Sequence, residues 1–176
     1  MSTLIIRAAD VAARAHASQR RKGERDIPYV NHCTAVARLV AEVSTDEATL
    51  AAALLHDTVE DSDATLEEIE RDFGAEVAVI VAAVTDADEI GDLPLAERKA
   101  KQAEKMRTAP DGAKLVKIAD QTSNLTDIVD IPPGWSVEKR TAYLEGATQV
   151  VAACRGVSET LEQKFDEAAK RMRATL

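Results

Sequence analysis

Residues 50–61 read LAAALLHDTVED, an apolar run of alanine and leucine that ends in several ionisable side chains. Alanine has the highest helix propensity and leucine follows it closely, so the run predicts a buried helix. His56, Asp57, Glu60 and Asp61 come directly at its end. At about 100° per residue, a helix that continued this far would turn all four side chains toward one cavity.

Three carboxylates and one imidazole this close together repel one another unless a cation neutralises them, and a bound metal is the simplest such cation. Two distant residues fit the same interpretation. His32 begins a predicted helix, and Asp120 directly follows the largely apolar stretch 115–119. Asn124 lies four residues after Asp120 and hence on the same helix face. Two histidines and two aspartates form an N₂O₂ set that suits Mn²⁺, Fe²⁺ or Zn²⁺ better than Ca²⁺.

The rest of the sequence predicts helices as well. Alanine is the most frequent residue, aromatic residues make up 3%, and no alternating β-branched run predicts a sheet. Ser44 with Glu47, and Thr65 with Glu68, have the spacing of a capping box. We predict an all-α fold with helices near residues 3–20, 31–43, 46–59, 65–73, 75–87, 94–107, 111–127, 136–155 and 158–174.

Length and composition limit the class of protein. A chain of 176 residues predicts one domain over 1–176. The net charge of −9 argues against a nucleic-acid partner. Neither a signal peptide nor an apolar run long enough to span a membrane is evident, so we expect no membrane partner. Only Cys33 and Cys154 are present, which favours a reducing cytoplasm. The sequence leaves homo-oligomerisation open.

The order His32, His56-Asp57, Asp120 resembles the HD superfamily of metal-dependent phosphohydrolases. More segments resemble the hydrolase domain of the RelA/SpoT alarmone enzymes, namely residues 21–22, 28–32, 52–61, 65–68, 73–74, 84–86, 115–120 and 124–125. Residues 95–99, 133–136 and 149–151 are similar to the small stand-alone members, which include the metazoan SpoT homolog. The resemblance implies a compact helical HD-domain bundle of about eight or nine helices.

The resemblance also implies an activity and roles for individual residues. The reaction is removal of the 3′-pyrophosphate of (p)ppGpp, which gives GDP or GTP and pyrophosphate. One metal per chain, Mn²⁺ in the family with Fe²⁺ or Zn²⁺ as alternatives, is implied for His32, His56, Asp57 and Asp120. Glu60 and Asp61 would activate and orient the attacking water. Contacts to the guanosine nucleotide or its phosphates are implied for Arg21, Lys22, Lys99 and Asn124.

Two positions depart from the family pattern. Members usually carry a basic residue after the distant aspartate and an arginine after Asn-Leu, where this chain has Gln121 and Thr126. A phosphohydrolase acting on another nucleotide, such as a nucleoside monophosphate or the 2′-phosphate of NADPH, therefore stays open. A non-enzymatic sensor on an HD scaffold is a third hypothesis, against which the complete ligand set argues.

Simpler structural interpretations compete at single residues. Lys99 also fits a solvated charged helix face, and Asp120 fits a buried ion pair with Lys117. We expect His16 to pack or to fix the following loop, without a part in catalysis. Tyr143 continues an apolar stripe and is expected in the core, although a nucleobase could stack on it.

Overall fold

The computed structural model describes residues 3–23, 25–86 and 93–176, and in these ranges the chain forms ten helices. They are α1 (Thr3–Ala15), α2 (Val30–Ala41), α3 (Glu47–Leu55), α4 (Thr58–Asp61), α5 (Leu66–Phe73), α6 (Ala75–Val84), α7 (Leu95–Thr108), α8 (Asp111–Asp130), α9 (Val137–Ala152) and α10 (Glu159–Arg173). The extended pairing in this part of the chain is one isolated bridge between Arg20 and Pro28. The predicted all-α class is confirmed.

The largest difference from the predicted map is a break at the point where the ionisable cluster begins. The predicted helix 46–59 is divided into α3 and α4, with His56 and Asp57 between them. In a continuous helix the Ala53 carbonyl would accept from the Asp57 N–H. Here the His56 Nδ1 lies 2.9 Å from that carbonyl oxygen and takes its place. The His56 side chain therefore contacts the last turn of α3 at the point where the helix breaks.

Other helix ends differ by smaller amounts. The first helix ends at Ala15 instead of residue 20, and α6 ends at Val84. The predicted end of α6, Ala87, lies outside the described residues. The capping box of Thr65 and Glu68 is present at α5. Ser44 does not cap α3, because its hydroxyl accepts from the Asp46 N–H and Asp46 itself caps the helix.

The core surrounds α3. This helix packs against α1, α2, α6 and α8, and nearly all of its side chains are buried. Small alanine side chains let the neighbouring helices approach α3 closely, and the removal of apolar surface from water stabilises the arrangement. As a result, the end of α3, the beginning of α2 and the middle of α8 meet in one place.

A second contact, between α7 and α9, positions the side chain of Lys99 on α7. Gly146 of α9 faces the stem of Lys99, and a Cβ atom at Gly146 would lie 2.6 Å from the Lys99 Cγ. Glycine at this position therefore lets the lysine stem run between the two helices. In the described part of the chain, no helix combines the length and the apolar character that a membrane span needs. The division of residues 1–176 into a single domain stays a prediction.

Candidate functional site

A cavity of about 370 Å³ opens beside the junction of α3 and α4. Predicted site residues that line it are Arg21, Lys22, Asp57, Glu60, Asp61, Lys99, Asp120 and Asn124. The two remaining predicted residues, His32 and His56, are buried directly against Asp57 and Asp120. The fold thus brings all ten predicted side chains to one place from sequence positions about a hundred residues apart.

The four predicted metal ligands converge at one end of the cavity, which we call the metal end. The His56 Nε2 lies 3.1 Å from Asp57 Oδ2, and the His32 Nε2 lies 3.3 Å from Asp120 Oδ1. The two diagonal distances are 3.5 Å between His32 and Asp57 and 3.9 Å between His56 and Asp120. Ligand atoms bound at about 2.1 Å to one cation are roughly 3.0–3.4 Å apart, and the two shortest distances lie in this range. His32, His56 and Asp57 form a group that could hold one ion, and Asp120 Oδ1 lies beside the two histidines.

The hydrogen bonds of the two imidazoles support the same conclusion. The His56 Nδ1 faces the Ala53 carbonyl, which only accepts, so this nitrogen carries a hydrogen, and Nε2 is the atom that can bind a metal when the ring is neutral. The His32 Nδ1 lies 3.0 Å from the Ser123 hydroxyl. The two Nε2 atoms are 3.2 Å apart and face each other. Two imidazoles held from behind with both Nε2 atoms turned to one point are typical of a metal site.

Electrostatics at the metal end call for a cation. Burial opposes ionisation of Asp57, but the neighbouring His56 outweighs it and lowers the pKa of Asp57 below its ordinary value. Burial also opposes the charged form of His56, yet the Asp57 carboxylate raises the pKa of His56 to about 9. The buried carboxylates thus draw a positive charge into this cluster. His32, His56 and Asp57 are placed so that they could hold a metal ion, and that ion would supply the charge.

Glu60 and Asp61 lie beside the ligands on the one-turn helix α4. Glu60 accepts a hydrogen bond from the Asp86 backbone N–H. Removal of water by the surrounding protein raises the pKa of Glu60 to about 7. The same effect, with the nearby charge of Asp57, raises the pKa of Asp61 above its ordinary value. Their raised pKa values make both carboxylates better proton acceptors than ordinary carboxylates.

The predicted cations line another part of the cavity, which we call the nucleotide end after the contacts that the resemblance implies for them. Arg21 is not free there, because its Nε lies 2.8 Å from Asp127 Oδ2 and its guanidinium donates to Asn124 Oδ1 at 2.7 Å. Asn124 in turn donates to Asp120 Oδ1 at 2.6 Å. Arg21 is thus connected through Asn124 to Asp120, a predicted metal ligand. Lys22 is exposed at the edge of the cavity.

Lys99 does not lie on a solvated helix face. It is 4% exposed, donates to Gln121 Oε1 at 2.9 Å, and its ammonium lies 5.1 Å from the centre of the Tyr143 ring. Burial lowers the pKa of Lys99 to about 8. The amide nitrogen of Gln121 donates to Asp120 Oδ2 at 2.7 Å. Gln121 therefore couples the buried lysine to a predicted metal ligand, whereas Thr126 donates to the Thr122 carbonyl within α8.

Three side chains of the site were not predicted to take part in it. The Tyr29 hydroxyl donates to Asp57 Oδ2 at 2.8 Å, Lys117 Nζ lies 3.7 Å from Asp120 Oδ2, and Ser123 contacts His32. Tyr29 belongs to a segment that carries the resemblance, and Lys117 precedes Asp120 by one helical turn, so both had a sequence signal. Ser123 had none. Asp120 pairs with Lys117 and also lies among the predicted ligands, so the two interpretations of this residue are compatible.

Comparisons with known proteins agree with this geometry. Residues 8–145 match the family model for the HD domain. Guanosine-3′,5′-bis(diphosphate) 3′-pyrophosphohydrolase MESH1 of Homo sapiens is 44% identical over 175 residues, which cover 98% of this chain and 96% of that protein. A probable GTP pyrophosphokinase of Mycobacterium leprae is 39% identical over 146 residues, which cover 81% of this chain but 18% of that longer protein.

A solved structure extends the similarity to the fold. It is described as "A metazoan ortholog of SpoT hydrolyzes ppGpp and plays a role in starvation responses", and it superimposes with a TM-score of 0.90 at 40% identity. The match covers 100% of this chain and 98% of that chain. The similarity therefore includes every helix that contributes to the cavity.

Proposed function

The chain belongs to the HD domain family, and on that premise we propose that it hydrolyses guanosine alarmones with the help of a divalent metal. The observation that carries the proposal is that two histidines lie 3.1–3.9 Å from two aspartates at a cavity that Glu60 and Asp61 also line. The substrate class is supported by the full-length similarity to pyrophosphohydrolases of guanosine-3′,5′-bis(diphosphate).

We assign the metal to His32, His56, Asp57 and Asp120, one ion per chain. The mixed nitrogen and carboxylate set favours Mn²⁺, with Fe²⁺ and Zn²⁺ as alternatives. A metal bound there lowers the pKa of water and polarises a phosphoryl oxygen. Ser123 behind His32 and the Ala53 carbonyl behind His56 keep the two imidazoles turned toward the ion.

Glu60 activates the attacking water, and Asp61 orients it. Glu60, whose pKa is raised to about 7, accepts a proton as the water oxygen bonds to the 3′-linked phosphorus. Asp61 orients the same water. The bond between that phosphorus and the ribose 3′ oxygen breaks, and its electron pair stays on the ribose oxygen, which takes up a proton. The products are GDP or GTP and pyrophosphate.

The nucleotide end recognises the substrate locally. A chain with a net charge of −9 does not attract a polyphosphate from a distance, so the cations inside the cavity must do so at short range. Arg21, Lys22 and Lys99 supply them, and Asn124 adds a polar contact. The rings of Trp135 and Tyr143, 5.5 Å apart, add aromatic surface to the cavity wall that a nucleobase can contact.

One observation favours a second candidate, a phosphohydrolase acting on the 2′-phosphate of NADPH or on a nucleoside monophosphate. Gln121 is neutral and occupied by Lys99 and Asp120, so the position that is usually basic in the family adds no cation to the cavity. Fewer cations suit a substrate with fewer phosphates. We retain a cytoplasmic location without a nucleic-acid partner as part of the proposal, consistent with two free buried thiols.

The product of the reaction decides between these candidates. Purified protein with Mn²⁺ is incubated with ppGpp in ¹⁸O-labelled water, and the products are separated by chromatography and weighed by mass spectrometry. We expect GDP and pyrophosphate, with the label in pyrophosphate because water attacks phosphorus. Intact ppGpp, together with orthophosphate released from NADPH or a nucleoside monophosphate, would replace the proposal with the second candidate.

A further inference from the structure

His16 is a buried histidine outside the cavity that the mechanism does not use. It directly follows α1, is 1% exposed, and its Nδ1 lies 2.5 Å from Gln19 Oε1. The other end of the Gln19 amide lies 2.7 Å from the backbone oxygen of Asp61. A carbonyl only accepts, so the Gln19 nitrogen faces Asp61 and its oxygen faces His16. His16 must therefore donate from Nδ1, which fixes the orientation of the Gln19 amide.

Helix α4 needs such support because it is a single turn. The last carbonyls of a helix have no partner within it, and a four-residue helix consists mostly of such ends. Asp61 is the last residue of α4, and Gln19 supplies the donor for its carbonyl. The Ser62 hydroxyl supplies another to the Thr58 carbonyl at 2.7 Å. The Gln19 side chain therefore satisfies one of the terminal carbonyls of α4.

The same histidine also reaches the beginning of α4. The His16 ring lies 4.9 Å from the Tyr29 ring, centre to centre, and the Tyr29 hydroxyl donates to Asp57 at the N-cap of α4. His16 thus supports the first position of the helix through Tyr29 and the last through Gln19. Glu60 and Asp61 belong to the short helix whose two ends are held by these contacts.

We propose that His16 and Gln19 are positioning residues that tie the Asp61 peptide to the loop after α1 and so hold the α4 carboxylates in place for the attack on the substrate. The inference rests on the proposed function. Loss of the tie should lower kcat and leave KM nearly unchanged, because it displaces the groups that handle water and not those that bind the nucleotide. A displacement of about 1 Å can cost up to about a hundredfold in rate.

The first variant is Gln19→Leu, which has a similar volume and no hydrogen-bonding group. We expect kcat to fall about tenfold, with KM changed less than about twofold and metal content unchanged. Gln163→Leu is the matched control, since Gln163 is exposed on α10 and its side chain donates to Glu159 in the same helix. A second pair, His16→Asn and His16→Phe, separates hydrogen bonding from packing. Asparagine keeps a donor for Gln19, so His16→Asn should retain more kcat than His16→Phe.

Hydrogen exchange of the α4 amides gives a measure that is independent of substrate. Gln19→Leu should speed exchange over residues 58–62 and leave α3 unchanged, and Gln163→Leu should change neither. Wild-type kcat with ppGpp tests the proposed function separately, and if it is absent the exchange result alone decides the tie. Unchanged α4 exchange, an unchanged kcat in an active protein, or a loss of kcat explained by lost metal would each overturn the inference.

Discussion

The metal end and the nucleotide end of one cavity are built in different ways. His32, His56 and Asp120 are 2%, 1% and 6% exposed. His32 and Asp120 project from α2 and α8, and His56 directly follows the buried helix α3. The cations of the nucleotide end come from a loop and from α7, and two of them are already bound, Arg21 to Asp127 and Lys99 to Gln121. The metal end is therefore fixed by packing, whereas the nucleotide end is fixed by polar contacts that a substrate can replace.

The two ends should therefore differ in how much they rearrange when they bind their ligands. At the metal end the ligand atoms already have the spacing of a cation site, so little rearrangement is needed. At the nucleotide end, a phosphate bound as proposed would compete with Asp127 for Arg21 and with Gln121 for Lys99. Substitutions at the metal end should therefore abolish function, whereas those at the nucleotide end should change affinity in graded steps.

The largest effect is expected for Asp57→Ala. Asp57 supplies an oxygen to the ligand cluster and receives the Tyr29 hydroxyl, so its removal should abolish metal binding and reduce turnover to background. Stability gained from the metal should disappear with it, because a ligand that binds only the folded state stabilises that state. Metal content by mass spectrometry, Tm with and without Mn²⁺, and turnover provide the measurements.

Asp63→Ala is the matched control for this variant, since Asp63 is an exposed carboxylate close by in sequence. It should keep metal, Tm and turnover. Equal metal content in Asp57→Ala and wild-type protein would remove Asp57 from the ligand set.

The next effect is expected for Glu60→Gln and Asp61→Asn. Both side chains line the cavity without belonging to the ligand cluster, so the metal should stay while turnover falls about 10²–10⁴-fold. Steady-state kinetics and metal analysis of the same preparations test this. Near-wild-type turnover in either variant with a full complement of metal would exclude that residue from the proposed role. Glu67→Gln, an exposed carboxylate on α5, is a suitable control.

The sequence predicted the metal end more completely than the nucleotide end. His56-Asp57 and Asp120 each follow an apolar run, and a polar side chain directly after a buried segment is visible in sequence. The helix class was also predictable from composition and periodicity. The break after Leu55 was not predictable. It occurs where the His56 imidazole turns back to the Ala53 carbonyl, and the spacing of residues in the sequence does not show the direction of that ring.

The contacts of the nucleotide end were beyond sequence reasoning for the same physical reason. Arg21 and Asp127 are 106 positions apart, and only the tertiary packing brings them together. Burial of Lys99 depends on the small size of Gly146 in a helix that lies far along the chain. Tyr29 and Lys117 could have been predicted as site residues. Tyr29 is close to His32 in sequence, and Lys117 lies one helical turn before Asp120.

The pH dependence of turnover separates Glu60 from the metal ligands. With a pKa raised to about 7, Glu60 is protonated below that pH and cannot accept a proton, so kcat should fall about tenfold per pH unit on the acid side. A bound cation favours the ionised form and shifts this limb downward. The residual activity of Glu60→Gln should lack the limb, whereas Asp61→Asn should retain it. An identical acid limb in wild type and Glu60→Gln would assign the titration to another group.

The smallest effects are expected at the nucleotide end, where Arg21→Ala and Lys22→Ala form a natural pair. Lys22 is exposed, so its loss should raise KM about two- to fivefold and leave Tm unchanged. Arg21→Ala should raise KM more than it lowers kcat, and it should also lower stability by about 1–3 kcal/mol, because the partly buried Asp127 carboxylate loses its partner. Asp127→Asn in the Arg21→Ala background should restore much of the lost Tm without restoring KM. Recovery of both by the double variant would mean that Arg21 serves the fold alone, and an unchanged KM in both single variants would move nucleotide recognition to Lys99 and the aromatic side of the cavity.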